Sequence, residues 1–212
     1  MADEKPRRPS RAAWGSISRD QVLETALRML RTHGYEQITI RAIANEMGVA
    51  PMSLYRHIRD KDDILDEVVD RLLARQWRPR SETSDWKEWV GEAADRLHRF
   101  LVDQPAALHV FLDHPVVSPS NVARMQAMME VLREELCDEE AAGRAYGAIQ
   151  TYTIGFAALE AARAGWVPPD GDENPVARQL ASYTTPRQFS VGLGYLLAGI
   201  EREAAAASPS PP

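Results

Sequence analysis

The chain of 212 residues has a single cysteine, Cys137, and only 7% aromatic residues. One cysteine excludes an internal disulfide framework and fits a reducing compartment, the cytoplasm. Burial is the expected state of Cys137, because a lone thiol behaves mostly as a small apolar side chain. No apolar run reaches the roughly 18 residues that a membrane-spanning helix needs. The opening M-A-D-E-K-P-R-R-P-S-R lacks the apolar core of a secretory signal. Hydrolase and nucleotide-site patterns are missing too: there is no G-x-S-x-G, no G-x-x-x-x-G-K-[ST] and no H-E-x-x-H. His98, His109 and His114 show no metal-ligand spacing. Neither an enzyme nor a cofactor or metal protein is expected, and no membrane partner.

The net charge is −6, but it is unevenly spread. Residues 1–59 carry ten Lys and Arg against six Asp and Glu, a net +4; the remainder carries fifteen against twenty-five, a net −10. A basic head on an acidic body turns toward phosphates, while the body resists non-specific adhesion.

Periodicity predicts helices throughout. Residues 1–16 are polar, basic and proline-rich and read as a flexible arm. Ser18, with Gln21 three residues on, is a capping box opening a helix whose stripe is Val22, Leu23, Ala26, Leu27 and Leu30, with Gly34 as its stop. Thr39 caps a second helix that ends before Gly48. Pro51 starts a third, and Asp60 caps a fourth with the stripe Ile64, Leu65, Val68, Val69, Leu72 and Leu73. Further helices are expected from Asp85 to about Asp103, between Pro105 and Pro115, after Ser118-Pro119, from Asp138 to about Arg163, and from Thr185-Pro186 onward. The stretch around 165–185 reads as a loop, and 205–212 as a disordered tail. The domain reading is a head over 17–60 and a helical body over 61–204, in an all-α fold.

The stretch Thr39–Lys61 carries the strongest signal. A short helix, a glycine-closed turn at Gly48 and a second short helix make a helix-turn-helix. Leu54 and Ile58 point inward, so that Met52, Ser53, Tyr55, Arg56 and His57 face out toward a major groove. The run Val49-Ala50-Pro51-Met52-Ser53-Leu54-Tyr55-Arg56-His57-Ile58-Arg59-Asp60-Lys61 resembles the recognition segment of the tetracycline-repressor family of bacterial regulators, over roughly Ile17 to Val69. By that resemblance Thr39, Tyr55, His57 and Lys61 hold phosphates of a double-stranded operator. Arg41, Pro51, Met52, Ser53 and Arg56 meet base edges or nearby backbone. Arg41 has the fork that reads guanine, and Met52 offers apolar contact to a thymine methyl. Ala50 departs from the family, which often places Ser as the cap there.

The resemblance implies a homodimer joined by the last two long helices. The small-residue stripe Gly147, Thr151, Gly155 and Ala158, with Phe189, Gly192, Leu196 and Gly199, is the expected interface. The other face of the long helix, Tyr146, Ile149, Thr153 and Phe156, would look toward Phe100, Phe111, Met125 and Met129, an apolar set suited to a small-molecule effector. The segment Trp86 to about Arg163 also resembles the ligand domain of the tetracycline-repressor subgroup. Phe111 stands near the position of that subgroup's drug-binding histidine, which disfavours tetracycline. The expected function is a ligand-responsive transcriptional regulator, a repressor released from a pseudo-palindromic operator. Two alternatives remain open: a ligand-independent DNA-organising protein, and a small-molecule carrier or enzyme with a vestigial head.

Overall fold

A computed structural model describes residues 17–76, 85–113, 115–166 and 174–207. The expected arm over 1–16, His114, and the tail over 208–212 lie outside them. Among the described residues the regular elements are all helical. Two compact units divide between Val68 and Val69.

The head contains α1 (Arg19–His33), α2 (Ile40–Glu46), α3 (Pro51–Leu54) and the first half of α4 (Lys61–Gln76). Ser18 and Gln21 form the reciprocal capping box that opens α1. Gly34 ends it with φ 80° and ψ 174°, a positive φ that a side chain would resist, although not the left-handed helical conformation. Gly48, at φ 68°, turns the chain between α2 and α3. Val22, Leu23, Ala26, Ile38, Ile43, Ala44, Leu54, Ile64 and Leu65 are buried and form the head's core. The division falls inside α4, not ahead of it. The reason is local: Ile64, Leu65 and Val68 are buried in the head, and Asp63 and Glu67 pair with Arg19.

The body contains the rest of α4, then α5 (Trp86–Asp103), α6 (Pro105–Asp113), α7 (Pro119–Leu136), α8 (Glu139–Ala162), α9 (Pro175–Ser182) and α10 (Pro186–Ala207). Asp85 caps α5, Ser118 caps α7 and Asp138 caps α8, each accepting from first-turn amides. Asp70 of α4 adds a second acceptor at the start of α7, taking the Ser120 N–H at 2.6 Å. Helix α8 is the axis, packed on α5, α6, α7 and α10. Val90, Met128, Leu132, Ile149, Phe156, Phe189, Leu193 and Leu197 interlock around it.

Three expectations are corrected. Cys137 is exposed; it ends α7 in the left-handed conformation at φ 52°, just past Leu136, the last buried residue of that helix. The expected loop over 165–185 contains α9, whose short amphipathic run is interrupted by no proline after Pro175. The tail expected from 205 is still helical to Ala207, because alanines extend a helix at little cost.

Candidate functional site

Helices α2 and α3 present the recognition residues. Thr39 is exposed at the start of α2, where its Oγ1 accepts the Ala42 N–H at 3.0 Å. That bond uses a lone pair of the oxygen and leaves the hydroxyl proton available to donate to a phosphate. Arg41 is exposed in the first turn of α2, as its second residue. Helix α3 is short. Pro51 occupies its first position, where no N–H is needed, and Ala50 makes no side-chain cap. Leu54 and Ile58 are buried beneath it, and the chain continues as a helical turn through bonds from the His57 and Ile58 N–H groups to the Leu54 carbonyl.

That anchoring pushes the remaining side chains outward. Met52 is 75% exposed and Tyr55 51% exposed. Arg56 is exposed, and Pro51, Ser53, His57 and Lys61 are half-buried. The open apolar side chain of Met52 is suited to a methyl contact in a groove. The Lys61 ammonium sits 4.2 Å from the centroid of the Tyr35 ring, which holds the cation at the start of α4.

Sequence reasoning passed over Arg19. Its guanidinium bonds Asp63 at 2.9 and 3.1 Å and Glu67 at 2.6 Å, and also donates to the His57 carbonyl. One side chain therefore ties α1, the end of the recognition segment and α4 together. The Arg59 N–H adds a bond to Asp63 at 2.9 Å. Hydrogen bonding from Arg19, then burial acting against it and the Arg59 N–H acting with it, brings the Asp63 carboxyl down to about 2. Arg19 is correspondingly raised, first by its bond to Asp63. The signal in the sequence was the pair Asp63 and Glu67, four apart on one helix face.

In the body the expected residues separate. Ile149 and Thr153 have no exposed surface, and Phe100 and Phe156 are buried. The Thr153 hydroxyl donates to the Ile149 carbonyl at 2.7 Å. These four pack in the core of the chain itself. A stripe that packs on a neighbouring helix has the same spacing as one lining a pocket. Phe111, Met129 and Tyr146 are half-buried and Met125 is 39% exposed. Tyr146 accompanies Arg124, which is buried and bonded to Asn121 and Gln150.

On the expected interface, Gly147 and Thr151 are exposed and Gly155 and Ala158 half-buried, with open space where Cβ atoms would stand at Gly147, Gly155 and Gly199. Leu196 is half-buried. Phe189 and Gly192 serve the chain's own packing instead. Phe189 is fully buried, stacked on His98 at 4.0 Å and on Tyr152 at 5.4 Å. A Cβ on Gly192 would stand 2.1 Å from the Tyr152 hydroxyl. The outward apolar residues are Leu159 on α8, and Val191 and Tyr195 four apart on α10. Burial, which the sequence does not print, was needed to find them.

The body also holds a cleft of about 720 Å³ between the end of α5, α6 and the C-terminal turns of α8. None of the residues expected to bind an effector lines it. Among the described residues no group of His, Cys, Asp and Glu could hold a metal ion, and no helix is long and apolar enough to cross a membrane.

A cationic, groove-sized helix-turn-helix on a larger helical body is the architecture of a DNA-binding regulator. The comparisons agree. Residues 22–68 match the bacterial regulatory proteins of the tetR family, and residues 78–204 match the tetracyclin repressor-like C-terminal domain. The chain belongs to the tetR family of bacterial regulatory proteins. It is 29% identical over 132 residues to the transcriptional repressor DrrR1 of Streptomyces coeruleorubidus, covering 60% of this chain and 47% of that protein. It is 25% identical over 191 residues to the transcriptional repressor Rv1353c of Mycobacterium tuberculosis, covering 85% and 72%. The chain thus spans about half the length of DrrR1. The crystal structure of apo ActR from Streptomyces coelicolor superposes with a TM-score of 0.76 at 26% identity, over 92% of this chain and all of ActR.

Proposed function

We propose that the protein is a ligand-responsive transcriptional repressor that binds a pseudo-palindromic operator as a homodimer. The carrying observation is the outward set Met52, Tyr55 and Arg56 on a segment whose inward residues, Leu54 and Ile58, are fully used by the core. In this reading Thr39, Tyr55, His57 and Lys61 grip phosphates, and Arg41, Pro51, Met52, Ser53 and Arg56 meet bases or nearby backbone. The open stripe Gly147, Thr151, Gly155 and Ala158, with Leu159, Val191 and Tyr195, is the surface for the second copy. A two-fold dimer matches two half-sites in opposite orientation. Such a protein acts on DNA in the cytoplasm.

Effector control is supported by ActR, whose structures include complexes with actinorhodin and with (S)-DNPA. A small molecule releases DNA only if it prefers the DNA-incompetent arrangement. A hundredfold shift requires about 2.7 kcal/mol of coupling. The named relatives are regulators and repressors, which favours this reading over an enzyme with a vestigial head.

The test is fluorescence anisotropy of the full chain on DNA from upstream of its own gene. Specific binding should exceed binding to random duplex by at least about 10³. Replacing Tyr55→Phe together with His57→Ala should weaken binding and flatten its dependence on salt, since each lost phosphate contact lowers the slope by about 1. Unchanged affinity and slope would exclude this face as the DNA interface.

A further inference from the structure

The cleft in the body has a chemistry of its own. Its apolar lining comes from Val102 at the end of α5, Leu108 and Leu112 on α6, and Ala158 and Ala161 on α8. Leu112 is 54% exposed at this site, an apolar surface that folding leaves uncovered. The volume of about 720 Å³ falls within the range of drug-sized ligand sites.

Into this apolar lining the chain inserts one carboxylate. Glu160 lines the cleft with its side chain 20% exposed. Behind it stands His98, buried at 2%, with Nε2 2.9 Å from Glu160 Oε2. A carboxylate only accepts, so Nε2–H is the donor, and this fixes the tautomer. The His98 ring cannot swing away: it is stacked on Phe189 at 4.0 Å and meets Phe156 edge-on at 5.5 Å. One carboxylate oxygen is thereby pinned from the core, and the group keeps acceptor capacity toward the cleft. His109, also in the lining, bonds the Pro105 carbonyl through Nδ1 at 2.7 Å. Arg163 in the same lining offsets the Glu160 charge, so donor placement defines the ligand class more than net charge does.

We propose that this cleft is the effector site, and that it takes an apolar molecule whose hydroxyl or ammonium group donates a hydrogen bond to Glu160. The assignment as an effector site rests on the regulator reading above; the binding chemistry stands without it. Glu160 is the specificity residue, and His98 positions it. A site built around a pinned acceptor rejects the analogue that lacks the donor, because the carboxylate is then left desolvated and unmatched.

The experiment uses the full chain and two probes, 2-naphthol and 2-methoxynaphthalene, in which a methyl group replaces the donating proton. Binding is followed by saturation-transfer NMR and titration to about 5 mM, a range suited to weak fragment-sized ligands. The wild type should bind the naphthol about tenfold more tightly. Glu160→Gln keeps the size and the bond from His98, but turns an amide N–H₂ toward the cleft. It should erase the preference while leaving methoxynaphthalene binding within about twofold. His98→Phe keeps the ring stack and should reduce the preference without abolishing methoxynaphthalene binding, an effect that a purely packing role for His98 would not produce. Ala161→Phe and Leu112→Trp, which fill the cleft from different helices, should each remove both probes. Equal affinities in the wild type, an unchanged preference in Glu160→Gln, binding that survives both filling variants, or no saturable naphthol binding would each overturn the proposal. Operator binding is measured in parallel. Its absence in the wild type would defeat the regulator reading, while the naphthol preference would still report on the cleft.

Discussion

Removing the Arg19 guanidinium tests how the head holds its reading surface. Arg19→Met keeps the length of the stem and deletes the bonds to Asp63, Glu67 and the His57 carbonyl. The magnitude follows from Asp63, whose carboxyl falls from its ordinary 3.8 to about 2 in the folded head. At 1.36 kcal/mol per pH unit that difference sets a ceiling of about 2.4 kcal/mol. Arg19 is 38% exposed, so water and salt screen the pair, and about 1–2 kcal/mol is expected. Because the folded value is the lower one, this stability is complete above about pH 4 and is lost as the pH falls toward 2. At pH 7, hydrogen exchange of the slow amides in α1 and the first half of α4 should accelerate by about 5–30-fold in the variant. The gap in urea midpoint between wild type and variant should narrow between pH 4 and pH 2. Arg19→Lys should recover only part of the loss, since an ammonium cannot reproduce the fork across two carboxylates. Equal exchange rates at pH 7, or a gap that persists undiminished at low pH, would refute the assignment of this network as the clamp.

Two further outcomes are expected in the body. Cys137→Gly should stabilise the protein by about 0.5–1 kcal/mol in thermal unfolding, since φ 52° is strained for a side chain and free for glycine; the wild-type thiol should also react promptly with a maleimide in the native state. Gly192→Ala should destabilise by about 1–2 kcal/mol, because the new methyl displaces the Tyr152 hydroxyl from its bond to the Phe189 carbonyl at 3.0 Å; pairing it with Tyr152→Leu should return most of that loss in calorimetry.

Helix starts were legible wherever a short polar residue preceded a periodic apolar run, and the structure places caps at Ser18, Thr39, Asp85, Ser118 and Asp138. These features are local: an Ncap bond spans two or three residues, so neighbours in sequence suffice to specify it. The inward pair Leu54 and Ile58 was readable for the same reason, since four residues make about one helical turn. From these local rules and the motif, the sequence alone determined an all-helical protein with a helix-turn-helix head.

Long-range partnership belongs to the tertiary structure. Periodicity marks Ile149, Thr153 and Phe156 as one face of α8, but whether that face meets a ligand or Phe189 depends on how α10 packs across it. Arg19 finds Asp63 across 44 residues, and His98 finds Glu160 across 62. Gly192 looked available to a second copy until Tyr152 occupied the space above it. No one-dimensional spacing encodes such meetings, because close packing chooses among many faces of similar hydrophobicity by shape. What the chain does at its head was therefore written locally, while the place where it would sense a small molecule was decided only when α5, α6 and α8 came together around Glu160.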